Sequence, residues 1–257
     1  MQVAVVGGTG RIGRQLCDAL ARAGHHARRL SRKLGVDVNT GAGLDAALDG
    51  ADAVVDVTNV HSDLTAEVVE YFTTSTRTLL AAERRAGVGH HVLLSVLGVD
   101  HGRYVPHYAG KRAQERLVAV RGVPWTVVRA AQLHDFPAML AQRVERDGVA
   151  PVPPLLLQPL AAEDLAAVLA DVATGRPLHA MIEVAGPRTE DLVDLARRTL
   201  QARGHELRLV PTWRGVFGLE LSGEAMLPGD HALLTEMTFD QWLAASGAVA
   251  AGDGGAR

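Results

Sequence analysis

Two patterns of apolar and polar positions alternate along the first half of the chain. Short apolar runs, typical of strands buried on both faces, occur at residues 3–6, 53–57, 90–95 and 123–129, and a further strand is predicted at 25–31 after a helix stop. Between the strands, apolar residues recur every three or four positions, and the longest such segment spans residues 64–86. This alternation predicts an α/β fold with a parallel sheet and right-handed crossovers.

The pattern changes after residue 150. Four prolines between Pro151 and Pro159 disfavour a helix and predict an extended segment, with a buried strand at 155–160. Further helices are predicted at 162–174, 189–203 and from 238 onward, and strands at 179–184 and 206–210. We therefore predict a main domain at 1–150, a smaller C-terminal region at 151–247 whose strands return to the same sheet, and a flexible tail at 248–257.

Composition narrows the classes of function. The 257 residues include 26 basic and 29 acidic side chains, a formal net charge of −3, so nucleic acid and anionic membranes are not expected partners. Cys17 is the one cysteine and the eleven histidines are scattered, which predicts neither a disulfide framework nor a metal site. Because the chain begins with a strand and has no long apolar run free of proline, we expect a soluble, cytoplasmic monomer or homodimer that acts on a small molecule.

A glycine-rich turn, Gly7-Gly8-Thr9-Gly10-Arg11-Ile12-Gly13, joins the first strand to the first helix. Glycine lets a backbone turn tightly and approach a phosphate, and a helix N-terminus offers unpaired N–H groups and a positive dipole end. The turn therefore predicts a pyrophosphate cradle on a Rossmann-like, doubly wound parallel sheet, although its spacing is G-x-x-G-x-x-G rather than G-x-G-x-x-G. The expected cofactor contacts in the turn are Gly7, Thr9, Gly10, Arg11, Ile12 and Gly13.

The end of the second strand bears on which dinucleotide binds. NAD sites usually place a carboxylate about 20 residues beyond the glycine turn, where it accepts hydrogen bonds from the ribose. Here the sequence reads Leu30-Ser31-Arg32-Lys33, and a hydroxyl with a guanidinium suits a 2′-phosphate. We therefore predict that Ser31 and Arg32 favour NADPH over NADH. The alternative is that Arg32 and Lys33 form a solvated turn.

The glycine spacing and its strand–turn–helix context resemble those of the short-chain dehydrogenase/reductases, in particular the atypical group of NmrA-like and isoflavone-reductase-like proteins. The resemblance covers nearly the whole chain, and its specific residues are Gly7 to Gly13, Ser31, Arg32, Ser95, Lys111 and the segment after Arg129. It implies that Thr58 and Asn59, at the end of the third strand, contact the adenosine and ribose. The same two residues could equally form a turn.

In that family, a Ser or Thr ends the fourth strand and a Y-x-x-x-K pair lies on the next helix. The phenol exchanges a proton with the substrate, while the ammonium lowers the phenol's pKa and holds the nicotinamide ribose. Here Ser95 ends the strand and Lys111 supplies the lysine, but His107 occupies the tyrosine position and Tyr108 follows it. His107 or Tyr108 could do the acid–base work; otherwise no side chain does, and hydride passes to an acceptor that needs little acid catalysis. The candidate catalytic residues are thus Lys111, His107, Tyr108 and Ser95.

The same helix has a predicted packed face. Ala109, Ala113, Leu117 and Val120 lie on one side, so Lys111 is expected to point to solvent or to a cofactor and not into the core. Lys111 to Glu115 also matches a K-x-x-x-E segment of isoflavone-reductase-like proteins, in which the lysine can be retained without the tyrosine.

The segment after Arg129 resembles the part of the atypical family that passes over the nicotinamide. Loops at the carboxyl ends of parallel strands are the usual ligand sites of α/β sheets, so Gln132, His134 and Phe136 are candidate substrate contacts. His134 could instead help to start the following helix.

Three interpretations of function follow. The first is an NADPH-dependent oxidoreductase that reduces a small carbonyl, enone or quinone compound, with residues 1–150 binding NAD(P) and residues 151–247 binding substrate. The second, motivated by His107, is a catalytically silent NmrA-like NADP(H) sensor or regulatory protein. A third, an epimerase or isomerase, is weakened because it too needs an acid–base pair.

Overall fold

A computed structural model describes residues 1–60, 62–120, 122–215 and 217–252. The strands are β1 (Gln2–Val6), β2 (His26–Leu30), β3 (Ala53–Asp56), β4 (His90–Val96), β5 (Trp125–Ala130), β6 (Val149–Val152), β7 (Leu156–Leu157), β8 (Met181–Ala185), β9 (Glu190–Asp191), β10 (Arg208–Pro211) and β11 (Leu233–Leu234). The helices are α1 (Arg11–Arg22), α2 (Leu44–Leu48), α3 (Thr65–Ala86), α4 (Pro106–Val120), α5 (Phe136–Val144), α6 (Ala162–Thr174), α7 (Leu192–Ala202) and α8 (Phe239–Gly252).

A parallel seven-stranded sheet has the order β11-β8-β5-β4-β3-β1-β2. Strands β2 and β3 pair with opposite edges of β1, with Val6 opposite both Leu30 and Asp56. The direction of winding therefore reverses beside β1, and in open α/β sheets ligands bind at the carboxyl ends of the strands at this point. The prediction of a Rossmann-like, doubly wound parallel sheet is confirmed.

The chain divides into two compact units. The first unit comprises Met1–Ala130 and Ala162–Glu183, and the second comprises Ala131–Ala161 and Val184–Arg257. This division differs from the predicted boundary at residue 150, because α6 returns to the first unit and packs against α1. The C-terminal α8 extends to Gly252, so the first part of the predicted flexible tail, residues 248–252, is helical; residues 253–257 lie outside the described part of the chain.

The core of the first unit follows from its apolar runs. Strands β1 and β3 are buried on both faces, as their uninterrupted valines and alanines predict. Helix α1 places Leu16 and Leu20 inside, and α3 buries Phe72 and Leu79 on the face that its spacing predicts. Helices α3 and α4 pack against each other, so α4 is held firmly beside the ends of β3 and β4.

The second unit is built from short elements. Strand β6 pairs in parallel with β10, β7 pairs antiparallel with β9, and α5 packs against α7. The buried strand predicted at 155–160 is reduced to the two residues of β7, because prolines remove the N–H groups that a longer ladder needs. Within the described part of the chain, no helix is both long enough and apolar enough to cross a membrane.

Candidate functional site

The glycine turn between β1 and α1 is tightly packed against its surroundings. Gly7 has φ of +83°, a conformation that glycine adopts readily, and its N–H donates to the Leu30 carbonyl at 3.0 Å. A Cβ on Gly13 would lie 2.6 Å from the Cα of Gly8 and closer still to the Gly7 carbonyl oxygen. The N-terminus of α1 therefore sits directly on the turn. Gly10 is the N-cap and supplies no side chain to that end, which suits an incoming phosphate.

The other predicted residues of the turn are more accessible. Arg11 is exposed at the first position of α1, and Thr9 and Ile12 are half-buried. The carbonyl of Thr9 accepts a hydrogen bond from Arg14 Nη1 at 2.6 Å, which ties the outer side of the turn to the helix. Arg11 and Arg14 thus both lie at the helix end that would face a pyrophosphate.

Ser31 and Arg32 follow β2 directly. Ser31 is the N-cap of a short 3₁₀ turn, Arg32–Leu34, and Arg32 is exposed. The Ser31 hydroxyl is buried and has no hydrogen-bond partner among the residues that the structure describes. An unpaired buried hydroxyl costs free energy, so a ligand oxygen at this point would be favourable. No carboxylate stands at positions 31–33.

The end of β3 carries a buried polar network that joins three elements. The Asp56 carboxylate accepts hydrogen bonds from the N–H and hydroxyl of Thr58, at 2.9 and 2.6 Å, and from Gln114 Nε2 at 2.8 Å. Thr58 is buried; its side chain binds Asp56, while its backbone packs against Gly7. Asn59 is exposed and accepts a hydrogen bond from the Val60 N–H at 2.9 Å. The side chains of Thr58 and Asn59 both form hydrogen bonds within their own segment, and contact of either residue with a cofactor stays a prediction.

Lys111 is buried and so does not point to solvent; the other alternative, that it points to a cofactor, stays a prediction. Its ammonium donates to the Leu94 carbonyl at 2.8 Å, to Gln114 Oε1 at 2.9 Å and to the Thr58 carbonyl at 3.4 Å. It also lies 4.6 Å from the centre of the Phe72 ring. Burial lowers the pKa of Lys111 to about 8, although the negative charges of Asp56 and Glu115 act to raise it. The ammonium therefore lies where β3 and β4 end, the part of an open α/β sheet at which ligands usually bind.

The packed face of α4 differs from the predicted one. The buried residues are Tyr108, Gly110, Lys111, Gln114, Glu115 and Val118, whereas Val120 is exposed. The prediction treated polar side chains as facing solvent, but those on α4 find partners at the ends of β3, β4 and β5. The predicted packed face of α4 was wrong, because the helical spacing of apolar residues does not show which polar side chains find hydrogen-bond partners in other elements.

Ser95, on β4, belongs to a second network, which includes Glu115 of the same helix α4. Its hydroxyl donates to Glu115 Oε1 at 2.6 Å, and Arg129 forms a two-point pair with the same carboxylate at 3.0 and 2.7 Å. Arg129 also reaches Asp100 at 2.8 Å in the loop before α4. In this arrangement Ser95 helps to hold a partly buried ion pair, and a role for it in proton transfer stays a prediction.

His107 and Tyr108 are placed differently around α4. Tyr108 is only 3% exposed, and its ring packs on Gly102, leaving no room there for a Cβ. His107 is half-buried, with its ring centre 5.9 Å from that of Phe72, the same ring that Lys111 contacts. Of the two candidates for the tyrosine's role, His107 is therefore the more accessible.

The predicted substrate contacts all lie in the second unit. Gln132 and Phe136 are half-buried, and the Phe136 ring packs 6.2 Å from that of Phe217. His134 is buried at 2% exposure; its Nε2 lies 3.2 Å from the Met237 carbonyl. The histidine ring also contacts those of Phe239 and Trp242. These contacts favour a packing role for His134 over contact with a substrate.

Four residues of this region were not predicted as site residues from the sequence: Asp56, Gln114, Phe72 and Gly8. Gln114 lies three residues after Lys111, a spacing at which helical side chains meet, and this was the available signal. A Cβ at Gly8 would lie 2.8 Å from the Val5 carbonyl oxygen and 2.9 Å from the Cα of Arg29 on β2, so glycine is needed for the approach of the turn to β2.

Residues 7–175 match the sequence model of the NAD(P)H-binding family. The chain belongs to this family. The match covers the glycine turn, both polar networks and α4, and it ends just beyond α6. Comparison with curated proteins gives no match.

Solved structures of similar fold agree with this family. A short-chain dehydrogenase/reductase superfamily protein from Agrobacterium tumefaciens with bound NAD has 18% identity and a TM-score of 0.73, with 98% of each chain covered. An NADPH-dependent quinone oxidoreductase from Escherichia coli has 15% identity and a TM-score of 0.67, covering 95% of this chain and 99% of that one. A triphenylmethane reductase from Citrobacter complexed with NADP(H) has 17% identity, a TM-score of 0.59, and covers 82% and 79%. The family model confirms the NAD(P)-binding family that the resemblance implied, and these structures confirm its fold.

Proposed function

We propose that the protein is an NADPH-dependent oxidoreductase that reduces a small carbonyl, enone or quinone compound. The observation that carries the proposal is the position of the Lys111 ammonium, buried at the ends of β3 and β4 and bonded to the segment that packs against the glycine turn. Gly7 approaches Val57 and Thr58, and the Thr58 carbonyl accepts a hydrogen bond from Lys111. The glycine turn and the buried ammonium are thus linked through the backbone of Val57 and Thr58.

The residues of the first unit fit NADPH. The N-terminus of α1 and the glycine turn would hold the pyrophosphate, and Arg32 with the unpaired Ser31 hydroxyl would hold the 2′-phosphate. When bound, NADPH supplies the hydride. The preference over NADH rests on Arg32, because a cation gains more from a phosphate dianion than from a hydroxyl.

The side chains favour an acceptor that needs little proton transfer from the protein. Tyr108 is packed against the loop before α4, and Lys111 is the cation that the network presents at the strand ends. With a pKa of about 8, Lys111 is mostly protonated at neutral pH and can stabilise negative charge that develops on a substrate oxygen. Quinones and enones accept hydride with such electrostatic help, and the likeness to a quinone oxidoreductase supports this class.

The test is an assay of NADPH oxidation with a panel of quinones, enones and simple carbonyls. Lys111→Ala should reduce kcat/KM by about 10²–10³-fold, as expected when a group that stabilises transition-state charge is removed. Lys33→Ala is the matched control, because Lys33 is the chain's other lysine and is exposed. A panel that leaves NADPH untouched while calorimetry shows that the cofactor binds would contradict the oxidoreductase.

One observation favours a second candidate, a catalytically silent NADP(H) sensor. The three N–H groups of the Lys111 ammonium already have acceptors within the chain, and His107 stands at the tyrosine position. A sensor should bind NADPH and NADP⁺ with different affinities and should retain a protein partner during purification. Equal affinities without such a partner would count against it.

A further inference from the structure

Gln114 is the fully buried link between the two charged groups of the Asp56 network. Its Nε2 donates to Asp56 Oδ2 at 2.8 Å, and its Oε1 accepts from Lys111 Nζ at 2.9 Å. A carboxylate can only accept and an ammonium can only donate, so their chemistry fixes the orientation of the amide between them. Gln114 thereby satisfies both charges and stands as a neutral spacer between them.

Both partners of Gln114 are anchored independently of it. The other oxygen of Asp56 is held by Thr58, and the Lys111 ammonium also binds the carbonyls of Leu94 and Thr58. Loss of the amide would therefore leave Lys111 in place with one acceptor fewer. A hydrogen bond to the charged form of a group raises the pKa of a lysine, so the amide opposes the effect of burial.

We propose that Gln114 is a positioning residue that holds the Lys111 ammonium at the ends of β3 and β4 and keeps it charged there. The role rests on the proposed function, in which Lys111 acts on the substrate. The charged groups that act on Lys111 are Asp56 on β3 and Glu115 on α4, whereas α3 contributes the Phe72 ring and β4 the Leu94 carbonyl. Gln114 is the neutral member of this set.

Two substitutions of similar size separate positioning from packing. Gln114→Met removes the acceptor and should lower the pKa of Lys111 by about one unit, since a hydrogen bond to a charged group contributes roughly that much. Gln114→Glu replaces the amide by a carboxylate and should raise the same pKa by at least about one unit. A residue that only fills space would not shift the pKa in opposite directions.

The chain contains only two lysines, which makes the measurement direct. Selective ¹³C,¹⁵N-lysine labelling gives one side-chain NMR signal for Lys111 and one for the exposed Lys33, which serves as the internal reference. Thr126→Val is the matched control, because Thr126 is equally buried and binds His90 and the Leu178 N–H instead of Lys111. Gln114→Asn, whose amide is one methylene shorter, replaces Gln114→Met if that variant does not fold, with the same expected direction.

Shifts of the Lys111 titration midpoint in opposite directions in Gln114→Met and Gln114→Glu, with no shift in Thr126→Val, would support the proposal. Any other pattern, including an unchanged midpoint or shifts of the same sign, would overturn it. The titration needs no substrate, so its result stands apart from the proposed function. If the protein also reduces an acceptor, the pH profile of kcat should move with the Lys111 midpoint while KM for NADPH stays nearly constant.

Discussion

The packing of Gly13 against the glycine turn gives a quantitative test of the cofactor cradle. A Cβ at Gly13 would lie 2.6 Å from the Cα of Gly8, whereas ordinary van der Waals contact begins at 3.4 Å. Both obstructing groups, in Gly7 and Gly8, are backbone and cannot rotate away. In Gly13→Ala, the N-terminus of α1 must therefore move off the turn by at least about 0.8 Å, the shortfall between these two distances, because the Gly7 carbonyl oxygen is closer still.

The expected cost has two opposing parts. Overpacking of this kind costs about 1–3 kcal/mol, and replacing glycine by alanine in a helix returns up to about 1 kcal/mol. We therefore expect a net destabilisation of about 1–2 kcal/mol, or roughly 2–8 °C in Tm for a chain of this size. NADPH affinity should fall by about tenfold or more, because the helix end no longer stands at its native distance from the phosphate.

The assay combines thermal unfolding with calorimetric titration of NADPH. Gly89→Ala is the control, since a Cβ there meets only the Asp52 carbonyl at an ordinary 3.5 Å and its φ needs no glycine. This variant should unfold within about 1 °C of the wild type or slightly above it. If Gly13→Ala matches Gly89→Ala in both Tm and NADPH affinity, the close approach of α1 to the turn does not form the cofactor site.

Two further predictions concern charge. Arg32→Ala should weaken NADPH binding by about tenfold while leaving NADH binding nearly unchanged; calorimetry of both cofactors checks this, and an unaltered preference would refute the 2′-phosphate assignment. Glu83 and His91 form a fully buried pair at 2.8 Å. Burial alone would lower the pKa of His91, but the Glu83 carboxylate raises it above its ordinary 6.5, so the stabilisation is complete below pH 6.5 and is lost as the pH rises through the folded-state pKa. Glu83→Gln should therefore cost about 1–3 kcal/mol in urea unfolding at pH 5.5 and less at pH 9; equal costs would refute the pairing.

Most elements of the first unit could be predicted from the sequence because they are determined by interactions between residues close together in the chain. Short uninterrupted apolar runs are typical of strands buried on both faces, and Gly7 with φ of +83° adopts a conformation that favours glycine. The helix predicted at 162–174 has the bounds of α6, since its apolar spacing and the acidic residues of its first turn agree. Its return to the first unit could not be predicted, because it depends on long-range packing against α1.

Helix α4 shows why the chemistry was harder to predict than the fold. Hydrophobic spacing assigns a lysine, a glutamine and a glutamate to the solvent side, yet Lys111, Gln114 and Glu115 are its buried face. Burying such groups is tolerable only when charges balance and hydrogen bonds are complete; here Lys111 and Arg129 are set against Asp56 and Glu115, with Gln114 between. A replacement by apolar residues of similar volume would serve stability equally well or better. Stability alone therefore gives little reason to keep a cation at the ends of β3 and β4, which supports the proposal that a ligand there requires it.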